Sequence, residues 1–91
     1  MKKAIRLYIT GSLQSLFFRQ FIKQHAEKYK IKGFMRNRED GRTEIFIDGT
    51  AEDVNAMVAI CKKGPKHATI RSVEEKEERL QDFKEFKLLN F

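Results

Sequence analysis

The feature that most constrains the fold of this chain is a change in the spacing of its apolar residues, from every second residue to about every 3.6 and back. Apolar side chains alternate over residues 4–10, and they then recur at helical spacing over residues 17–30. Strict alternation is typical of a half-buried strand, and the longer period is typical of an amphipathic helix. The pattern therefore predicts a strand followed by a helix.

Two further strands are predicted at residues 34–38 and 42–48, because Asp40-Gly41 between them is a strong hairpin signal. A second helix follows Thr50, a residue type that caps helix N-termini, with Asp53 at the capping-box position. This helix should end at Gly64-Pro65, since neither residue favours continuing it.

The last quarter of the chain predicts two more strands. The fourth covers residues 67–73, and the polar run 74–79 is either a solvated loop or an extension of that strand. A final edge strand is indicated by the spacing of Phe83, Phe86, Leu88 and Phe91. The order predicts a ferredoxin-like β-α-β-β-α-β sandwich of the α+β class, with an antiparallel sheet and both helices on one face.

The length and composition fit a single domain over residues 1–91. No apolar run approaches the roughly 20 residues of a membrane span, and Met1-Lys2-Lys3 leads directly into a strand pattern. We therefore expect a soluble, cytoplasmic monomer without a membrane partner.

Basic charge is concentrated in the first part of the chain. Residues 1–38 hold ten Lys and Arg against one acid, a balance of +9, whereas residues 39–91 hold nine against twelve, a balance of −3. The N-terminal part would attract an incoming anion, although the same charge also suits a solvated basic helix.

Cysteine and histidine are too scarce for several common kinds of site. Cys61 is the single cysteine, so an intrachain disulfide is impossible, and with only His25 and His67 a structural zinc site is disfavoured. Cys61 and His25 fall on apolar helical stripes and are expected to pack inside, while His67 is expected at the surface. No Ser/His/Asp, Cys/His or metal-ligand set is evident.

One segment concentrates groups that hold phosphate. Residues 9–19 predict a strand end, a tight loop and then Arg19 in the first turn of a helix. Unpaired backbone N–H groups and a guanidinium at a helix start suit a phosphate. Asn37 lies at the edge of the next predicted strand, before the hairpin.

These motifs resemble the acylphosphatase family over nearly the whole chain. The family pattern Gly-x-Val-Gln-Gly-Val-x-Phe-Arg stands here as Gly11-Ser12-Leu13-Gln14-Ser15-Leu16-Phe17-Phe18-Arg19. A second pattern, an aromatic before Val-Arg-Asn and then x-x-Asp-Gly, stands as Phe34-Met35-Arg36-Asn37-Arg38-Glu39-Asp40-Gly41. The later Gly64-Pro65 and the pair Phe83 and Phe86 also look like the family.

The resemblance implies hydrolysis of small acyl phosphates to a carboxylate and inorganic phosphate, with no metal, cofactor or covalent intermediate. It implies that Arg19 binds the phosphate and that Asn37 orients the attacking water. The rest of the implied site is substrate-binding, with N–H groups around Ser15, Leu16 and Phe17. The phenylalanines are expected mostly in the core, with Phe18 on the apolar stripe of the first helix. Phe17 and Phe18 also flank the loop, where they suit the substrate-binding pocket mouth.

One departure from the family pattern keeps alternatives open. Ser15 replaces the second loop glycine, and a position that needs a positive φ would be strained by serine. A catalytically weak or silent anion-binding domain is one alternative. An RNA-binding ferredoxin-like module is a second, invited by the net charge of +6. It is disfavoured because no aromatic run on adjacent central strands and no basic residues interleaved with exposed rings are evident.

Overall fold

The computed structural model describes residues 1–89, apart from the side chain of Ser15. Within that part of the chain, five strands form a sheet in the order β4-β1-β3-β2-β5, and two helices connect them. The elements are β1 (Lys2–Ser12), α1 (Ser15–Lys28), β2 (Lys32–Asn37), β3 (Thr43–Thr50), α2 (Ala51–Lys63), β4 (Thr69–Glu78) and β5 (Phe86–Leu88). The predicted ferredoxin-like α+β fold is confirmed.

The sheet is mixed, which corrects the fully antiparallel prediction. The β1–β3, β1–β4 and β2–β3 pairs are antiparallel, but β5 lies parallel to β2, with Gly33 opposite Phe86. After β4 the chain crosses from one edge of the sheet to the other and enters β5 from the end at which β4 finished. Phe83 lies in this crossing segment rather than in the strand, and Phe91 lies outside the described residues.

Both helices pack on one face of the sheet, as predicted. The hydrophobic core lies between this face and the two helices. The inward strand residues alternate along β1 and β3, while each helix contributes residues three or four positions apart. The fully buried core side chains include Leu7, Ile9, Phe18, Ile22, Ala26, Ile45, Ile47, Val54, Met57 and Cys61.

The first helix spans residues 15–28 rather than the predicted 17–30, because its two ends are set by left-handed residues. Gln14 has φ 52° and accepts the first helical hydrogen bonds, and Lys30 has φ 55° just beyond the C-terminus. Ile31 N donates to Ala26 O at 2.8 Å and Lys30 N to Glu27 O at 3.2 Å, which is a Schellman motif with lysine at the position usually held by glycine.

Gly33 lies beyond the end of α1 and has a role in the sheet. It lies inside β2, and a Cβ built there would be 1.9 Å from Phe46 O of the neighbouring strand. The close approach of two strand backbones requires glycine at this position.

The second helix and the fourth strand agree with the prediction in type. Thr50 caps α2, since its Oγ1 accepts from Asp53 N at 3.2 Å, and Gly64 ends the helix with φ 70°. The polar run after residue 73 extends β4, because Glu78 still pairs with Ala4 of β1. The ladder of β1 therefore determines the length of β4.

The sheet face opposite the helices is partly covered by the crossing segment, residues 79–85. Phe83 of this segment contacts both Phe34 and Phe46, with ring centroids 5.6 and 5.4 Å apart. Gln81 N donates to Asp48 Oδ2 at 3.3 Å. Phe46 is fully buried as a result.

Candidate active site

The loop between β1 and α1 is held close to the start of β4. The β1–β4 register shifts between Thr10 and Gly11, and a Cβ at Gly11 would be 2.1 Å from Thr69 O. Gln14 adds a second tie, since its Nε2 donates to His67 O at 3.2 Å. The loop is therefore fixed at both of its ends before the helix begins.

The N-terminus of α1 has the polarity that suits an anion. Its first four residues, 15–18, include no acid, and the first N–H groups of any helix lack an acceptor within the helix. Phe17 N and Phe18 N donate to Gln14 O at 3.0 and 3.2 Å. The sequence predicts that N–H groups around Ser15, Leu16 and Phe17 surround the phosphate. Of these, Phe17 N already donates to the oxygen of the cap residue.

The left-handed backbone lies at Gln14, and Ser15 is the first helical residue. The predicted strain at Ser15 therefore does not arise, because a helical residue has a negative φ that serine adopts freely. Serine in place of the family glycine is compatible with this loop backbone.

Arg19 lies just beyond the first turn of α1, rather than within it as predicted. The difference arises because the helix starts two residues earlier than the sequence predicts. Its side chain is half-buried, with Nε shielded from solvent. Lys23, one turn later, donates from Nζ to Phe86 O of β5 at 2.9 Å. Because α1 runs opposite to β2 and β5, Arg19 lies about 6 Å closer than Lys23 to the end at which these strands finish.

Asn37 is the last residue of β2 and is exposed. It has the same strand parity as the buried Met35, so its side chain lies on the helix-bearing face. Thr43 pairs with it across the ladder and donates from Oγ1 to Asn37 Oδ1 at 3.1 Å. Arg19 and Asn37 thus share one face and one end of the sheet.

The apolar residues predicted around the substrate separate into two groups. Leu16 and Phe17 are 57% and 58% exposed at the start of α1. Phe18, in contrast, is fully buried in the core with Ile22 and Ala26, so its side chain cannot form part of the pocket mouth as predicted. Residues four apart lie on the same helix face, and this face packs against the sheet.

A cluster of charged groups flanks Asn37 on the opposite face of the sheet. Glu44 is almost completely buried and accepts hydrogen bonds from Arg6, Arg36 and Arg38. Burial opposes its ionisation, but the hydrogen bonds from Arg36 and Arg6 outweigh this and hold the pKa of the Glu44 carboxyl below its usual value.

The hairpin turn after Asn37 is held by hydrogen bonds between charged groups. Asp40 accepts from the Arg42 side chain at 2.9 and 3.0 Å and from Arg42 N at 3.0 Å. These bonds lower the pKa of Asp40 far below its usual value. A cleft of about 690 Å³ opens beside this turn, lined by Arg36, Asn37, Arg38, Glu39, Asp40 and Leu89.

Two polar partners in this region, Thr43 and Glu44, were not predicted from the sequence. Threonine at a strand start and glutamate in a strand interior carry no local signal of function. A partial signal was present, since alternation places Glu44 on one face with Arg6 and Arg36. Its burial depends on neighbouring strands and could not be inferred from spacing alone.

Cys61 and His67 lie where the sequence predicts them, in the core and at the surface. Burial raises the pKa of the Cys61 thiol to about 12, which suits a packed residue and not a nucleophile. His25 is half-buried, with Nδ1 2.8 Å from Phe21 O, and His67 is exposed.

The sheet face opposite the helices carries aromatic rings on two adjacent central strands, which were not predicted from the sequence. Tyr8 of β1 and Phe46 of β3 lie on this face, and Arg side chains stack over both rings. Phe46 is buried and Tyr8 is covered by Arg38 and Arg42, at 5.2 and 4.5 Å from the ring centroid. These rings do not form an open stacking platform for RNA bases.

Residues 1–89 contain neither a membrane-crossing helix nor a cluster of metal-ligating side chains. No helix there is long and apolar enough to cross a bilayer. Those same residues contain no group of three or more His, Cys, Asp or Glu side chains placed to hold a metal ion.

Comparison with known proteins identifies the family. The acylphosphatase family model matches residues 5–88. The acylphosphatase of Pyrobaculum islandicum is 40% identical over 85 residues, covering 91% of this chain and 90% of the relative. That of Rubrobacter xylanophilus is 40% identical over 76 residues, covering 84% and 69%.

A solved structure agrees with these sequence matches. The crystal structure of acylphosphatase from Bacillus subtilis superimposes with a TM-score of 0.88 at 28% identity, covering 99% of this chain and all of the other. Fold, motifs and relatives agree that this chain belongs to the acylphosphatase family, the enzymes that hydrolyse acyl phosphates.

Proposed function

We propose that this enzyme binds the phosphate of a small acyl phosphate with Arg19 and the backbone N–H groups at the start of α1, and that Asn37 orients the attacking water. The observation that carries the proposal is the common location of Arg19 and Asn37, at one end and on one face of the sheet. A phosphoryl group on the guanidinium would then face the side chain at the end of β2.

The proposed chemistry needs positioning and charge stabilisation rather than a strong acid. The water oxygen forms a bond to phosphorus, the bond from phosphorus to the acyl oxygen breaks, and the carboxylate departs with that electron pair. The proton lost by the water passes to solvent, and hydrogen phosphate is the second product. A carboxylate is a good leaving group, so placement and electrostatics can supply much of the rate.

Each polar group suits its proposed role. A guanidinium is permanently charged and can donate two parallel hydrogen bonds to a phosphoryl group. Because Phe17 N already donates to Gln14 O, the N–H groups of Ser15 and Leu16 are the main backbone donors in this proposal. Leu16 and Phe17 present exposed apolar side chains beside them, suited to contact the acyl group.

The proposal extends to the organisation of the protein. We infer a single domain over residues 1–91 that acts as a cytoplasmic monomer, with no membrane or nucleic-acid partner. One hydrophobic core that includes both helices supports the single domain. Light scattering after size exclusion tests the oligomeric state, with the mass of one chain expected.

Hydrolysis of benzoyl phosphate tests the function. We expect turnover by the wild type with and without EDTA, and loss of both turnover and phosphate binding in Arg19→Ala. Lys28→Ala removes an equal charge from the exposed end of the same helix and should keep both. Equal loss in the two variants would refute a specific role for Arg19.

The silent-domain alternative has a separate signature. A folded wild type that binds inorganic phosphate without turning over benzoyl phosphate would indicate an anion-binding domain. The placement of Ser15 as an ordinary helical residue weighs against this alternative, because the substitution leaves the loop backbone unstrained.

A further inference from the structure

The side chain of Asn37 is held by a buried neighbour that belongs to the next strand. Thr43 faces it in the β2–β3 ladder, at the rung beside the hairpin turn. Thr43 Oγ1 donates to Asn37 Oδ1 at 3.1 Å. Thr43 is only 4% exposed and also pairs with Ile9 of β1, so the donor lies between two strands in the middle of the sheet.

An exposed asparagine needs such an anchor to be a precise ligand. The terminal torsion of asparagine is broad and roughly two-fold, so a free amide exchanges its oxygen and nitrogen positions. The hydrogen bond from Thr43 Oγ1 to Asn37 Oδ1 holds the amide in the orientation that the structure shows. The cross-strand pair therefore determines where Oδ1 and Nδ2 of Asn37 point.

We propose that Thr43 is a positioning residue for hydrolysis: its hydroxyl fixes the amide of Asn37 in the orientation that holds the attacking water. This inference rests on the proposed role of Asn37. The amide oxygen has two lone pairs, of which Thr43 occupies one. The second accepts a proton of the water, so that a lone pair of the water oxygen is directed at phosphorus.

Two substitutions separate this role from a structural one. Thr43→Val keeps the shape and removes the hydroxyl, whereas Thr43→Ser keeps the hydroxyl and removes a buried methyl group. We expect Thr43→Val to lower kcat for benzoyl phosphate roughly three- to tenfold, the equivalent of one net hydrogen bond. KM and the Kd of inorganic phosphate should change less than twofold, because Arg19 is untouched.

Stability should follow the opposite order. Thr43→Ser should keep kcat close to the wild-type value while being the less stable variant, since it leaves space in a buried site. A merely structural role predicts the reverse, with activity following the urea midpoint. The inference is supported if Thr43→Ser is less stable but fully active while Thr43→Val is stable but slow.

A double-mutant cycle identifies the path of the effect. In an Asn37→Ala background, Thr43→Val should cause no further loss of kcat, because the group that it positions is absent. The NMR order parameter of the Asn37 side-chain amide should fall in Thr43→Val even without substrate.

The possible failures are distinguishable. No turnover by the wild type would refute the proposed function and the inference together. Turnover that requires Asn37, with unchanged kcat and amide order in Thr43→Val, would overturn the inference alone. An equal loss of kcat in the Asn37→Ala background would also overturn it.

Discussion

Removing the charge of Glu44 should destabilise the fold by about 2 kcal/mol at neutral pH, an effect that must vanish in acid. Glu44 is 1% exposed and accepts from Arg36 Nε at 2.8 Å and from Arg38 Nη1 at 3.2 Å, in addition to Arg6. Glu44→Gln keeps the shape and one acceptor oxygen but places an NH₂ group beside the guanidinium groups.

The magnitude comes from the exposure of the partners. Hydrogen bonds to charged groups are worth about 1.5–3 kcal/mol each, and breaking a fully buried ion pair costs about 3–5 kcal/mol. Arg6, Arg36 and Arg38 are 19%, 46% and 30% exposed, so water can solvate them once the charge is lost. The value of about 2 kcal/mol lies below the buried-pair range for this reason, and it corresponds to a Tm decrease of roughly 10 °C.

The pH dependence has a fixed sign. The pKa of Glu44 is lower in the folded protein than in the unfolded chain, where a glutamate has its ordinary pKa of about 4.5. The stabilisation is therefore fully present above that value and is lost as pH falls through the folded pKa. Once Glu44 is protonated, wild type and Glu44→Gln carry the same charge at this site.

Urea titrations followed by circular dichroism, at pH 7 and at several values below 5, measure this difference. Glu75→Gln is the control, since Glu75 forms an ion pair with Lys62 at 2.7 Å on the surface and should contribute less than about 1 kcal/mol. A pH-independent difference for Glu44→Gln, or one no larger than that of the control, would refute the reasoning.

Two other substitutions test separate parts of the structure. Asn37→Ala should lower kcat for benzoyl phosphate at least tenfold while the Kd of phosphate stays nearly unchanged, because the placement of the water matters only on the way to the transition state. A parallel loss of phosphate affinity would contradict this division of roles. Lys30→Gly should raise stability by about 0.5–1 kcal/mol, because glycine tolerates the left-handed backbone that lysine adopts at φ 55°. An unchanged or lower urea midpoint would show that the left-handed lysine is not strained.

The sequence alone determined the elements and their order. Alternation and helical spacing are local properties, and Thr50, Gly64 and the Asp40-Gly41 turn act on their own neighbours in the chain. The two motifs that contain Arg19 and Asn37 are local as well, so they could be found without a structure. The catalytic roles of these two residues stay predictions.

Tertiary structure decided what depends on contacts between distant segments. The direction of β5 follows from the path of residues 79–85 across the sheet, which no local pattern encodes. Gln14 and Lys30 adopt left-handed backbone because of where α1 must meet the sheet, which local spacing does not determine.

The hydrogen bond between Thr43 and Asn37, and the burial of Glu44 among three arginines, require the register of strands that are far apart in the chain. A shift of one residue would place these side chains on the other face. Sequence spacing determines which residues can share a face, but only the packed sheet determines which of them meet.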